Sequence, residues 1–201
     1  MPPPPICLTW AWAGGINTNR MKKATIQFIS GASVFVTLAF AVLCLMSWVT
    51  VETLPKAFAK KINKSVETLW GEGAGLKNYP IQENQKKTLD RLGIASVFEI
   101  HQNNTQVGFA VLAQARSKFE YFDYIVYYDS NKRIKAVRVL LYREDYGGEI
   151  ASKRWLNQFD GKDVNSPLKI DEDIQGISGA TISYRAITKG VKDITQIINE
   201  L

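Results

Sequence analysis

The sequence predicts an α+β fold, a small antiparallel or mixed sheet with flanking helices, preceded by one N-terminal transmembrane helix. Three observations lead to this prediction. Residues 24–51 carry no charge. Residues 94–142 contain four runs rich in β-branched and aromatic residues, and the end of the chain repeats apolar side chains with a helical period. A cluster of strands followed by helices is typical of α+β proteins.

The first 51 residues divide into a leader and an apolar run. Residues 1–20 have neither a charged start nor a helical period, whereas "MKK" at 21–23 precedes the apolar run as in membrane-targeted chains. We therefore expect translation to begin at Met21, after an unstructured leader. The run at 24–51 has 28 residues, against roughly 20 needed to cross a bilayer and about 7 to 15 in a signal peptide. It predicts one uncleaved transmembrane helix, and a buried core helix is the alternative.

Residues 52–93 are predicted to form a helical linker region. The glycine-containing stretch "GEGAGLKNYP" at 71–80 should end a first helix. A second short helix is expected at 81–92, before Gly93. The first helix is amphipathic because its apolar residues are spaced by four, four and three, at Phe58, Ile62, Val66 and Leu69.

The remaining domain is expected to span residues 94–201. "DSNK" at 129–132 is typical of a turn and makes the last two strand runs a hairpin. The run "FEYFDYIVYY" at 119–128 is expected to place one face in the core. A short helix is predicted at 151–158. The last helix should begin near Ile182 and carry one apolar stripe, formed by Ile187, Val191, Ile194, Ile198 and Leu201.

The chain offers few groups for catalysis or metal binding. Its formal charge of +6 suits an anionic cofactor, an anionic membrane or nucleic acid. The basic residues are scattered among acidic ones without a nucleic-acid-binding motif, so no nucleic-acid partner is expected. The only cysteines are Cys7 and Cys44, and the only histidine is His101. This argues against a catalytic side chain and against a metal site, so redox chemistry would need a reactive group supplied by a cofactor.

Small and hydroxyl side chains cluster before the last helix, in Ser178-Gly179-Ala180-Thr181. Ser178 and Thr181 suit a helix cap, and Gly179 permits a sharp turn or a close approach of the backbone. The first turn of a helix also presents unpaired N–H groups and the positive end of the helix dipole, which attract phosphate. Two interpretations remain open from the residues alone: a cap without ligand, and a phosphate site within reach of the Thr181 hydroxyl.

The stretch "SGATIS" at 178–183 resembles the flavinylation motif of the FMN-binding domain family. This family includes stand-alone membrane-anchored proteins and subunits of the sodium-pumping NADH:quinone reductase and of Rnf-type complexes. The resemblance implies that FMN is the cofactor and that a flavin transferase, with FAD as donor, links its phosphate to the hydroxyl of Thr181. The surrounding cofactor-site residues would be Ser178, Gly179, Ala180 and Ser183.

A second match lies about 30 residues upstream. "YREDYGGEI" at 142–150, followed by "RWLNQFDGK", resembles the family's acidic, glycine-containing turn and its Trp/Phe-bearing helix. The resemblance implies that Glu144, Gly147 and Gly148 lie near the flavin ring, and paired glycines let backbone approach a flat ligand. A plain strand-to-helix loop is the alternative. Together the two matches extend the resemblance over roughly residues 105–200.

Two departures from the family pattern bear on function. Members usually carry an aspartate six residues before the modified threonine, whereas Gln175 occupies this position here and Asp173 lies two residues further back. The upstream turn also differs from the Glu-Thr-Pro-Gly-Leu-Gly form of the ion-pumping complexes and is closer to that of the stand-alone members.

The resemblance as a whole implies a single-pass flavoprotein of the cytoplasmic membrane, with its C-terminal domain on the extracytoplasmic side. Covalent FMN would pass electrons between membrane redox proteins, or a quinone-linked complex, and an extracytoplasmic acceptor. Two alternatives stay open. One is a non-redox anchored interaction module of the same fold, which Gln175 favours. The other is reversible flavin binding without an ester.

Overall fold

The strands of the domain form a single antiparallel sheet in chain order, β1-β2-β3-β4-β5. The computed structural model describes residues 56–201. The predicted leader and the predicted transmembrane helix at 24–51 lie outside these residues, and no helix within 56–201 is long and apolar enough to cross a membrane. The predicted α+β class, with an antiparallel sheet and flanking helices, is confirmed. The elements are α1 (Lys56–Trp70), β1 (Ala74–Asn78), α2 (Glu83–Arg91), β2 (Ile94–Gln102), β3 (Thr105–Arg116), β4 (Tyr121–Asp129), β5 (Ile134–Leu141), α3 (Lys153–Leu156) and α4 (Thr181–Glu200).

Strand β1 was not predicted, because its segment contains three glycines. Gly71 and Gly73 adopt φ of +92° and +80°, a region open to glycine at little cost, and they turn the chain after α1. The chain then pairs with β2 from Ala74, opposite Gln102, to Asn78, opposite Phe98. Residues 56–93 thus supply an edge strand as well as helices.

Both faces of the sheet are buried, which corrects the expectation for β4. Residues 122–128 are all buried. Because successive strand residues point to opposite faces, Tyr124 and Tyr128 belong to the apolar cluster formed with α4. Ile125 and Tyr127 belong to a second cluster, formed with Ile62 and other residues of α1. The prediction of one buried face was wrong because α1 packs on the sheet and covers the second one.

The connection from β5 to α4 is compact although it contains little regular structure. Two 3₁₀ turns, Gly148–Ala151 and Asn157–Phe159, flank the short helix α3, so the helical segment predicted at 151–158 is confirmed in broken form. The predicted hairpin between β4 and β5 and the start of the last helix are also confirmed. The apolar stripe of α4 is buried through Ile198, and Leu201 at the chain end is partly buried.

Candidate functional site

A cleft of about 750 Å³ lies at the N-terminal end of α4. It is bordered by the turn between β3 and β4 (residues 117–120), the loop after β5 (residues 142–146) and residues 179–183. This volume falls in the range typical of small-molecule and cofactor sites. The fold therefore brings both sequence motifs to one concave surface.

Helix α4 begins without a side-chain cap. Ala180 occupies the N-cap position, and no side chain makes a capping hydrogen bond there. The first N–H to bond back into the helix is that of Tyr184, to Ala180 O (3.0 Å). The preceding N–H groups, of residues 181–183, have no hydrogen-bond partner within residues 56–201. The interpretation of Ser178 and Thr181 as helix caps was wrong, and this helix end keeps its positive dipole and its free donors.

Thr181 is the first residue of α4 and is exposed in the cleft. Its hydroxyl has no hydrogen-bond partner among the described residues. Gly179, two residues earlier, has φ +81° and open space where a Cβ would stand. The hydroxyl is therefore free for bond formation, and the backbone before it leaves room for a bulky group.

Gly147 packs directly against the start of α4. A Cβ built on Gly147 would lie 3.1 Å from Ala180 Cβ and 3.0 Å from Tyr142 Oη, and its φ is +80°. Glycine is favoured on both grounds, since other residues rarely adopt this φ, and Tyr142 and Ala180 would have to shift to admit a Cβ. Gly148 has nothing within 4 Å of a built Cβ. Gly147 thus permits a close contact with the start of α4, whereas Gly148 stands at an open position.

Three hydroxyl groups form a network beneath the cleft. Ser183 Oγ lies 2.5 Å from Ser117 Oγ and 3.0 Å from Tyr142 Oη. Tyr142 Oη donates to Tyr146 O at 2.9 Å. Ser183 and Ser117 are buried. The structure therefore places Ser183 in the floor of the cleft, where its hydroxyl is hydrogen-bonded to Ser117 and Tyr142.

Glu144 holds the β3–β4 turn. Its Oε1 accepts hydrogen bonds from the N–H groups of Phe119 (2.7 Å) and Glu120 (3.0 Å). These donors stabilise the charged carboxylate and hold the pKa of Glu144 below its ordinary range. The structure therefore gives Glu144 a positioning role, because the turn that it fixes forms one wall of the cleft.

Arg143 anchors the loop after β5 to the sheet. Its Nη2 lies 2.5 Å from Asp123 Oδ2, and its Nη1 donates to Tyr121 O (2.6 Å). The Asp123 side chain is only 4% exposed, and its Oδ1 also accepts a hydrogen bond from Gln114 Nε2 (2.6 Å). A buried carboxylate with both oxygens engaged fixes the loop where it borders the cleft.

Gln175 is not among the residues that line the cleft. Its backbone is held by α3 and the turn that follows: Trp155 Nε1 donates to Gln175 O (2.7 Å), and Gln175 N donates to Gln158 Oε1 (2.7 Å). Asp173 accepts a hydrogen bond from Lys169 N at 2.8 Å. The Asp173 carboxylate is thereby used in a hydrogen bond within its own loop. The side chain of Gln175 is exposed. Ser178 is also exposed and outside the cleft lining.

Sequence reasoning missed the apolar rim of the cleft. Within residues 56–201, six large hydrophobic side chains are exposed, and three of them line the cleft: Phe119 (72%), Tyr146 (84%) and Ile182 (50%). Tyr146 and Ile182 stood within the quoted motifs. Phe119 lay in a run interpreted as strand, and only the pairing of β3 with β4 brings its turn to the helix start.

His101 lies on β2, outside the cleft, with Nε2 at 2.8 Å from Glu99 Oε2. Within the described part of the chain, no cluster of histidine, cysteine and carboxylate side chains is suited to hold a metal ion.

Comparison with known proteins agrees with this geometry. No curated protein matches the chain. Residues 122–196, which run from the start of β4 nearly to the end of α4, match the family model described as the FMN-binding domain. The segment includes the loop after β5 and the SGAT motif. The resemblance of this part of the chain to the FMN-binding domain family is thereby confirmed, which indicates flavin binding.

Proposed function

We propose that the protein is a membrane-anchored electron-transfer flavoprotein that carries FMN covalently, through its phosphate, on Thr181. The observation that supports this most directly is the free Thr181 hydroxyl at an uncapped helix end inside the cleft. The donor set fits a phosphate, because three backbone N–H groups without a partner among the described residues and the positive end of the helix dipole lie at the helix end that carries the hydroxyl.

The residues of the cleft fit the rest of the cofactor. Phe119, Tyr146 and Ile182 supply apolar surface suited to a flat ring system. The open space at Gly148 and Gly179 leaves the cleft unobstructed. When bound, FMN would supply the acceptance and donation of electrons. The protein would contribute binding, exposure and hydrogen bonding around it.

The charges in the cleft favour a covalent link over reversible binding. Lys118 and Arg143 face three carboxylates, on Glu120, Glu144 and Asp145. Arg143 is engaged by Asp123, which leaves Lys118 as the cation free of a carboxylate among the cleft-lining residues. A phosphate would gain little ionic stabilisation here, so retention would depend on the covalent bond.

The attachment that the family resemblance implies is a phosphoryl-group transfer. Thr181 Oγ forms a bond to the phosphorus on the FMN side of the FAD pyrophosphate, and the bridging P–O bond breaks. AMP leaves with the bridging oxygen, and the threonine proton is released. The Thr181 side chain is exposed, as modification by a separate transferase requires.

The predicted helix at 24–51 would keep the flavin at the membrane. A tether raises the effective concentration of the flavin near membrane redox partners or a quinone-linked complex. A covalent cofactor is also useful on the extracytoplasmic side, where lost FMN would not readily be replaced.

Gln175 favours the second candidate, an anchored interaction module without flavin. Its exposed side chain lies outside the cleft lining, so the departure from aspartate changes a surface that a transferase would contact. It leaves the cofactor space unchanged. The two candidates therefore differ in modification rather than in fold.

A denaturing gel viewed under ultraviolet light distinguishes the candidates. The full chain is co-produced with a flavin transferase, alongside Thr181→Ala and the control Thr105→Ala, which removes an exposed hydroxyl from β3. We expect a fluorescent band in the parent and in the control but not in Thr181→Ala. A parent without fluorescence supports the module, and flavin released on denaturation supports reversible binding. Protease treatment of spheroplasts tests location, since protection of residues 60–201 would contradict the proposed side.

A further inference from the structure

Helix α1 carries a row of lysines on the side opposite its buried stripe. Ile62 and Val66 are buried against the sheet. Lys56, Lys60 and Lys64 recur every four residues and are exposed. At 100° per residue, this row lies on the far side of the helix from Ile62 and Val66. The lysines thus point away from the sheet.

These three charges are not neutralised within the domain. None of them forms an ion pair with a carboxylate in residues 56–201. The helix has one acidic residue, Glu67, and a fourth lysine, Lys61, whose Nζ donates to Leu140 O (2.8 Å). Lys61 fastens the helix to the end of β5. The other three lysines share their exposed face with Glu67, which leaves that face with a net positive charge.

We propose that this basic face, Lys56, Lys60 and Lys64, binds the anionic headgroups of a lipid bilayer. The inference rests on the anchoring part of the proposed function. Val51 ends the uncharged run, and Lys56 follows five residues later. Only residues 52–55 stand between that run and α1 in the sequence. If residues 24–51 anchor the chain in a bilayer, the lysines of α1 follow directly after the anchor. An anionic bilayer surface is therefore the partner that we propose for them.

The face also sets the orientation of the domain. Helix α1 covers the side of the sheet that carries Ile125 and Tyr127, and α4 covers the side that carries Tyr124 and Tyr128. With the lysines on the headgroups, α4 lies on the face of the sheet turned away from the bilayer. The cleft at the N-terminus of α4 is then open to the extracytoplasmic acceptor of the proposed function. Each lysine near an anionic surface contributes about fivefold to binding, and Glu67 on the same face offsets part of the total.

The test uses the full chain in vesicles of neutral lipid, or of the same lipid with an anionic phosphatidylglycerol fraction. Brief acetylation followed by mass spectrometry measures the reactivity of each lysine. We expect the anionic vesicles to slow acetylation of Lys56, Lys60 and Lys64 at least fivefold, and high salt to reverse the effect by screening. Lys118, in the cleft, is the internal control and should react equally in both. Equal reactivity of the α1 lysines in the two vesicles at low salt would overturn the proposal.

Matched variants check that the effect belongs to this face. Lys56→Gln/Lys60→Gln/Lys64→Gln is compared with Lys86→Gln/Lys87→Gln/Lys192→Gln, which removes the same charge from exposed positions of α2 and α4. Glutamine keeps helix propensity, so both should fold. Anionic lipid should slow amide exchange of residues 56–70 in the parent and the control but not in the first variant. An equal response of both variants would also overturn the proposal.

The anchor itself is tested by washing the vesicles with alkaline carbonate. Release of the chain would contradict the predicted transmembrane helix. The acetylation comparison on unwashed vesicles would still decide the lipid-binding face, so the two failures are distinguishable.

Discussion

Gly147 and Ala180 are in contact although they lie 33 positions apart in the sequence. A Cβ on Gly147 would lie 3.1 Å from Ala180 Cβ. One residue belongs to the glycine-containing turn after β5 and the other to the N-cap of α4. Their contact joins the two motifs that carry the family resemblance into a single site.

Gly147→Ala should destabilise the protein and lower flavin attachment. The φ of +80° costs an alanine about 1–2 kcal/mol, and its Cβ would push on Tyr142 Oη and Ala180. Gly161→Ala is the matched control, since Gly161 has φ +78° with nothing within 4 Å of a built Cβ. Urea unfolding should show the larger loss for Gly147→Ala. Equal losses would mean that the contact contributes nothing.

Arg143→Gln should lower the free energy of unfolding by about 2 kcal/mol, because it leaves the buried Asp123 carboxylate without its cation. Chemical denaturation measures the change. Arg185→Gln, at an exposed position of α4, is the control and should stay within about 0.5 kcal/mol of the parent. Adding Asp123→Asn to Arg143→Gln should recover part of the loss. An unchanged or larger loss in the double variant would contradict the role given to the pair.

Glu144 should contribute pH-dependent stability. Its pKa is lowered in the folded state by the N–H donors of Phe119 and Glu120. The contribution is therefore present above the pKa of the unfolded chain and is lost as the pH falls through the folded pKa. The stability difference between the parent and Glu144→Gln should shrink on acidification. Denaturation at several pH values measures it, with Glu67→Gln as the control. A difference that is constant with pH would contradict this assignment.

Ser183→Ala should destabilise the domain by about 1 kcal/mol while leaving Thr181 available. It removes the partner of two hydroxyls, Ser117 Oγ at 2.5 Å and Tyr142 Oη at 3.0 Å. Ser178→Ala, at an exposed position without capping contacts, should change stability by less than about 0.5 kcal/mol. Thermal unfolding compares them. A stable Ser183→Ala variant that takes up no flavin would instead assign Ser183 a direct role at the cofactor.

The elements that sequence predicted well are those whose pattern is local. The apolar stripe of α4 and the turn at 129–132 each depend on residues within a few positions of one another. Strand β1 depends on pairing with β2, and the glycines in and before it made the segment look like a loop. The burial of both faces of β4 depends on α1 packing on the sheet, which no periodicity within β4 reveals.

The residues of the cleft likewise divide into those within a local motif and those that only the fold brings to the cleft. Thr181 could be proposed from the sequence because its motif is contiguous, and the structure places it in the cleft. The turn carrying Ser117 and Phe119 reaches the cleft only through the register of β3 with β4 and the hydrogen bonds to Glu144. The helix-cap interpretation failed because the backbone places Ala180, which has no acceptor side chain, at the N-cap.

The central claim is a covalent bond at Thr181, and the intact mass of the purified full chain tests it most directly. After co-production with a flavin transferase, we expect the mass to exceed that of the polypeptide by FMN less one water, and fragmentation to place the addition on Thr181. Thr181→Ala should have the mass of its residues alone, and Thr105→Ala should carry the addition. A parent chain that weighs only the sum of its residues would contradict the account.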